Sequence, residues 1–319
     1  MRWVITGAGG YIGAHLLNNL LKTGEEVLPL SGKSPASSKR LEFLGIQSKQ
    51  LDLFDSYQLT RIFLSYKPDV VVHLASLKSP EESNKFPDIY LKHNLEVLKN
   101  TFEASCNSGA GILINASSSA VYGNLDSESI RESDSGKPIS AYGLSKKLGE
   151  DFLSTSATPN MKVCSLRLFN IIGSFHKSLT ESAQFHLVPA TISRIRSGKR
   201  PIVFGSNLPT RDGSALRDYL HVQDVVEIFR RVANLTDLYE NEVRPSEHLV
   251  VNVGSGQGNS VLEVIKLIQD KLGSNLEPIL EPARNGDPVR AVSNIELSRK
   301  LFGFSPRFTL EEMIESSFP

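Results

Sequence analysis

The chain has 319 residues, 35 Lys+Arg against 35 Asp+Glu, and a formal net charge of zero, which excludes a dedicated nucleic-acid or anionic-membrane binder. A hydrophobic fraction of 40% with 22% charged residues describes an ordinary globular protein, and no apolar run approaches the ~18 residues of a membrane span. Cys106 and Cys164, far apart and without ligand spacing, exclude a disulfide framework or a structural zinc.

In chain order, Trp3 to Thr6 predicts a strand and Tyr11 to Lys22 a helix, with Ile12, Leu16, Leu17, Leu20 and Leu21 on one face. Because Met1-Arg2-Trp3-Val4-Ile5-Thr6 already reads as the start of a fold, the expected location is cytoplasmic. Gly24 closes the helix, and Val27 to Leu30 is a second strand. Ser31 to Arg40 reads as a basic, Ser-rich loop. A helix follows over about Tyr57 to Tyr66, then Val70 to Leu74 as a doubly buried strand. Further alternation gives helix Tyr90 to Cys106, strand Ile112 to Asn115, the polar loop Gly123 to Ser140, helix Ala141 to Leu153 and strand Val163 to Leu168. This order predicts an α/β fold with a doubly wound parallel sheet of Rossmann type.

After Asn170 loops, Gly and Pro increase, and helical periods return at Gln223 to Ala233 and Val261 to Leu272 around a strand at Leu249 to Val253. The expected division is a dinucleotide-binding domain over 1–170, with roughly 221–255 returning to it, and a smaller α/β lobe mainly over 171–319.

Gly7-Ala8-Gly9-Gly10-Tyr11-Ile12-Gly13 lies between the first strand and first helix. Gly7 permits the tight turn, Gly10 lets backbone approach a pyrophosphate, and Gly13 allows close helix–strand packing. The helix N-terminus offers free N–H groups to the anion. After the second strand an NAD site expects an acid for the ribose hydroxyls. Here Ser31, Gly32, Lys33 and Ser34 follow, a cation without a carboxylate, which keeps NADP open beside NAD. Asp52-Leu53 is a candidate for the adenine amino group or a plain turn.

Tyr142 and Lys146 stand at i and i+4 on one helical face. The ammonium, with an oxidised nicotinamide, is expected to lower the phenol towards working pH and make it a general base. Upstream, Ser117, Ser118 and Ser119 follow a parallel strand at the end where ligands bind in such sheets. The seven histidines show no metal spacing, and no metal site is expected.

With these motifs in place, the chain resembles the extended short-chain dehydrogenase/reductase family, and within it the UDP-glucose 4-epimerases. MRWVITGAGGYIGAHLL, HLASLKS, SSSAVYG, AYGLSK, LRLFNIIG, GSNLPTRDGSALRDYLHVQD, VNVGSGQGNSVLEVI and PARNGDPVR carry the likeness, in order, over nearly the whole length. The resemblance implies Ser118, Tyr142 and Lys146 as catalytic groups. It places Tyr11, Ile12, Leu74, Ala75, Ser76, Lys78, Asn94 and Phe169 along the dinucleotide. Lys78, Ser118, Asn170, His186, Leu187, Val203, Phe204, Arg217, Arg284 and Asp287 are placed about a nucleotide-sugar, a UDP-hexose. It further implies a homodimer built through the Tyr90–Cys106 and Ala141–Leu153 helices.

Three positions depart from the family pattern. Ser31 replaces an Asp, His186 replaces an Asn before Leu187, and Ala291 is small where plain-hexose epimerases are bulky, leaving room for a 2-acetamido group. The expected activity is sugar-nucleotide 4-epimerisation with bound NAD. The alternatives are an NADP-dependent 4-ketoreductase of a nucleotide-activated sugar, supported by Ser31 and Lys33, and a non-catalytic dinucleotide-binding regulator.

Overall fold

A computed structural model describes residues 1–32, 34–125, 127–234, 247–284 and 287–318. The first body is a seven-stranded parallel sheet built from β1 (Arg2–Thr6), β2 (Glu26–Ser31), β3 (Lys49–Gln50), β4 (Val70–His73), β5 (Ile112–Ser118), β6 (Lys162–Leu168) and β10 (His248–Val253). The strand order is β10-β6-β5-β4-β1-β2-β3. The order reverses beside β1, which opens a crevice at the C-terminal ends of the strands.

Helices cover both faces. Leu16, Leu17 and Leu20 of α1 (Tyr11–Lys22) join Val225, Phe229 and Val232 of α8 (Val222–Ala233) in one core. On the other face, Leu59 and Phe63 of α3 (Ser56–Tyr66), Leu98 and Phe102 of α5 (Pro87–Ser108) and Leu153 of α6 (Ala141–Ser156) form the second core. The apolar runs at β4 and β5 are buried throughout their regular lengths because both faces are covered.

The smaller sheets follow a different rule. β9 (Leu216–His221) pairs antiparallel with β11 (Gly258–Ser260) and parallel with β7 (Asn170–Ile172) and β13 (Arg290–Ala291), while β8 (Ile202–Phe204) pairs with β12 (Ile279–Glu281). Val188 and Ile192 of α7 (Leu187–Arg196), Val264 and Ile268 of α9 (Val261–Leu272) and Met313 of α11 (Leu310–Ser316) pack beneath them. α10 (Glu296–Phe302) sends Leu301 and Phe302 back to the α1/α8 core.

Several predicted boundaries change. The Ser-rich segment is not one loop, since Ser34 caps α2 (Pro35–Phe43) by accepting from the Ser37 amide at 3.2 Å, with proline at the first helical position. Ser79 does the same for the short α4 (Pro80–Lys85), accepting from Glu82. Periodicity missed both because neither has an apolar stripe long enough to read. Among the described residues no helix is long and apolar enough to cross a membrane.

Candidate active site

A cleft of about 2060 Å³ runs along the C-terminal ends of the parallel strands and under the second lobe. Its floor begins at the glycine turn. Gly7 has φ +73° and sits so close to the chain after β4 that an added Cβ would lie 2.9 Å from the Ala75 amide nitrogen. At Gly13 the added carbon would meet the Gly7 carbonyl at 2.3 Å, so α1 can approach β1 only with glycine there. Gly10 caps α1 without a side-chain bond and no acid occupies the first turn, leaving the leading N–H groups and the helix dipole for an anion. These features fit a dinucleotide pyrophosphate. Tyr11 and Ile12 line the cleft, and the Tyr11 hydroxyl donates to the Gly173 carbonyl, tying the turn to the chain beyond β7.

Leu74, Ala75, Ser76, Lys78 and Phe169 line the same floor, with Ser31, Asp52 and Leu53 at its β2–β3 end. Ser31 is buried against Gly9, where an added Cβ would be 2.7 Å from its hydroxyl. The Asp52 carboxylate accepts from the Phe54 amide at 3.0 Å, so it holds a turn while facing the cleft. Lys33 lies outside the described residues. Asn94 accepts from the Leu77 amide (2.8 Å), donates to the Leu77 carbonyl (3.0 Å) and donates to Ser145 (2.9 Å), so it braces the cleft-lining Leu77. Its amide fixes the 76–78 backbone from behind, because α5 passes behind that loop.

Ser118, at the end of β5, and Tyr142 and Lys146, in the first turns of α6, come together on the cleft wall. Ser140 starts α6 by accepting from the Gly143 amide at 3.0 Å, and Gly143 leaves no room for a Cβ beside the Ala120 carbonyl. The Ser118 hydroxyl lies beside the Tyr142 phenol and favours its phenolate. Lys146 is buried and donates to the Ala116 carbonyl at 2.8 Å, with its nitrogen 5.9 Å from the Tyr142 ring centroid. The expected lowering of the phenol is corrected for the protein groups alone: burial raises Tyr142, and only the neighbouring Ser118 hydroxyl opposes it. Burial also lowers the Lys146 ammonium to about 8, with Glu150 opposing.

The opposite wall comes from the second lobe. Asn170, His186, Leu187, Phe204, Arg217, Arg284, Asp287 and Ala291 line it. Arg284 is exposed and its guanidinium lies 3.7 Å over the Phe204 ring, a stacked cation waiting at the rim. Val203 does not join them; it is 0% exposed, because the alternation along β8 turns Ile202 and Phe204 to the cleft and Val203 to the interior.

Two supports escaped sequence reasoning. Asp218, between the two cleft residues Arg217 and Tyr219, is fully buried and accepts from the amides of Ser255, Gly256 and Ser293 and from the Ser255 and Ser293 hydroxyls. It pins β9, the loop after β10 and the segment after Ala291 at one point. Glu181 receives Lys78 at 2.7 Å and stands 3.8 Å from Arg40, whose guanidinium also donates to the Thr180 carbonyl at 2.9 Å. That segment therefore bridges from the second lobe to α2 across the cleft.

The sequence profile of the NAD dependent epimerase/dehydratase family matches residues 3–254. The chain belongs to this family. A relative in Oryza sativa subsp. japonica, UDP-glucose 4-epimerase 3, is 30% identical, covering 97% of this chain and 87% of its own. The solved UDP-glucose 4-epimerase of Stenotrophomonas maltophila, with bound NAD and formylated UDP-arabinopyranose, is similar at TM-score 0.88 and 27% identity, covering 100% of this chain and 97% of its own. The UDP-Glc/GlcNAc 4-epimerase of Campylobacter jejuni matches at TM-score 0.82 and 30% identity, over 99% and 98% of the two chains. This epimerase/dehydratase family member thus shares its whole architecture with sugar-nucleotide epimerases.

Proposed function

We propose that the protein is a UDP-hexose 4-epimerase that retains NAD, with Ser118, Tyr142 and Lys146 as its proton-transfer groups. The observation that carries this reading is one cleft with two unlike ends. One wall holds the hydroxyl, phenol and buried ammonium, and the other carries Arg217 and Arg284 for a diphosphate. Residues 1–170, with the return near 221–255, then serve mainly the dinucleotide, and 171–319 mainly the sugar nucleotide.

Tyr142 takes the proton of the sugar C4 hydroxyl as the 4-keto sugar forms, and returns it after the ring has turned over. Ser118 shares that hydroxyl's proton from the strand side. Lys146 supplies the positive charge that favours the phenolate against the burial that opposes it. Bound NAD supplies a reversible hydride store. Firm hold on the diphosphate by guanidinium groups, with loose hold on the hexose, lets both faces of C4 be presented. Ala291 lies in the cleft lining with only 7% exposure, and its small side chain leaves space for a 2-acetamido group, so UDP-N-acetylhexosamines enter the substrate range.

The test is to denature the purified protein, identify the released dinucleotide, and incubate fresh protein with UDP-galactose or UDP-N-acetylgalactosamine without added cofactor. Released NAD and conversion at C4 are expected. A protein that instead consumes NADPH, and only with a 4-keto sugar nucleotide, is the ketoreductase and overturns this reading.

A further inference from the structure

α6 meets β5 one turn at a time. Tyr142, Lys146 and Glu150 stand at i, i+4 and i+8 on the inner face of α6, and each engages a different one of three consecutive β5 residues. Tyr142 lies beside Ser118, Lys146 donates to the Ala116 carbonyl at 2.8 Å, and Glu150 accepts from the Ser117 hydroxyl at 2.5 Å. The first two contacts belong to the proton-transfer groups, and the third has no part in the mechanism above.

Glu150 is only 3% exposed, yet both its oxygens are gripped by Arg167 of β6, Nε to Oε1 at 3.0 Å and Nη2 to Oε2 at 2.7 Å. Arg167 continues to the Tyr122 hydroxyl at 2.8 Å, and Tyr122 donates to Asn252 of β10 at 2.6 Å. The bonds therefore span β5, β6 and β10 from an anchor on α6. Stability alone is a poor explanation for such a pair, since buried ion pairs are often replaced by apolar side chains without loss.

The charges around Lys146 give the pair a second role. From β4, His73 faces it but is held neutral, because burial lowers its imidazole to about 3. From α5 come the neutral Asn94, bonded to Ser145, and His93 beside His73. From β6, Arg167 is neutralised by Glu150, and from β10 His248, lowered by burial to about 4, lies near Glu150. Among the described residues Glu150 is thus the anion that acts on Lys146.

We propose that Glu150 is a positioning residue of the proton-transfer site: it locks α6 to β5 through Ser117 and Arg167 and supplies the counter-charge that keeps Lys146 cationic. This inference rests on the Tyr142/Lys146 reading above. Without the carboxylate, burial acts on Lys146 unopposed and it releases its proton at lower pH.

The experiment titrates Lys146 directly, in NAD-loaded protein carrying 13C-labelled lysine, with the Lys146 signal assigned by its disappearance in Lys146→Arg. In Glu150→Gln the Lys146 midpoint falls by about one pH unit, a roughly tenfold loss of proton affinity. Glu150→Asp restores it in large part. The alkaline limb of kcat with UDP-galactose moves down with the midpoint, while KM stays within about twofold because Glu150 touches no substrate. A midpoint equal to wild type, with turnover reduced equally at every pH, makes Glu150 a purely structural residue and overturns the proposal. If Glu150→Gln does not fold, Glu150→Gln/Arg167→Gln removes both buried charges together, and the same criterion applies to its Lys146 midpoint. A wild-type protein inert towards UDP-hexoses would sink the epimerase reading alone, since the lysine titration is read without substrate.

Discussion

The Lys146 nitrogen lies 5.9 Å from the centre of the Tyr142 ring and gives its hydrogen bond to the Ala116 carbonyl. The strand therefore fixes the position of the ammonium, and in the proposed reaction its charge would reach the phenol through space and not through a direct bond. In the proposed mechanism the proton is exchanged at the Tyr142 oxygen, beside Ser118. Tyr142→Phe should lower kcat by about 10²- to 10⁴-fold, the usual contribution of a positioned acid/base group. Its KM and thermal midpoint should stay near those of the parent. Steady-state kinetics with UDP-galactose and a melting curve check both, and turnover near the wild-type level would remove Tyr142 as the base.

Gly13 is the tightest point of the cradle, with the Gly7 carbonyl 2.3 Å from where a Cβ would stand. Gly13→Ala must push α1 from β1, an overpacking of about 1–3 kcal/mol. The same shift moves the N–H groups away from the pyrophosphate. Urea unfolding and the amount of NAD released from purified protein should fall together.

Glu181 links folding to acid pH. Burial works to raise its carboxyl, but Lys78 and the Ala183 amide hold it down to about 2, below the ordinary 4.5. A depressed carboxylate contributes stability that is complete above the unfolded value and is lost as pH falls through the folded one. Wild type should therefore lose on the order of 1 kcal/mol between about pH 4.5 and 2 that Glu181→Gln, already lacking the ion pair, does not lose in that window. Urea midpoints measured across it give the two slopes.

Arg284, stacked on Phe204, is exposed and lines the cleft. Arg284→Ala should weaken UDP binding by about 10- to 100-fold, the loss of a charge-assisted pair. The dinucleotide content should not change. Calorimetry with UDP separates these readouts from a general loss of fold.

Ile89 on α5 and Leu144 and Leu148 on α6 are 58%, 39% and 37% exposed, an apolar surface on two helices that pack together. We propose that this surface is the contact of the homodimer that the family resemblance implies. Leu144→Glu/Leu148→Glu should shift the sedimentation profile to monomer, and an unchanged profile would place any dimer contact elsewhere.

Much of the sheet was legible because β4, β5 and β6 carry continuous apolar runs that only a doubly covered sheet can bury. The glycine turn and the Tyr142/Lys146 spacing were legible because their chemistry is local: a helix N-terminus and one helical turn. What could not be read was assembled across distant segments. Asp218 gathers donors from two separate segments, Glu181 meets Arg40 some 140 residues away, and Asn94 braces the Leu77 backbone. Val203 shows the smaller failure, in which the right strand was named and its face misassigned.

The seventh strand carries a consequence for how such a protein can change over generations. β10 pairs with β6 only after the chain has built much of the second lobe, and α8 lies against α1. A genetic cut near residue 170 would leave the upstream fragment without its edge strand, Val251 and Val253 missing from the core. The two halves therefore cannot be traded between genes as modules. Under the proposed function, a new sugar preference would arise by point changes along the cleft, at positions such as Ala291, while the interlaced frame is inherited whole.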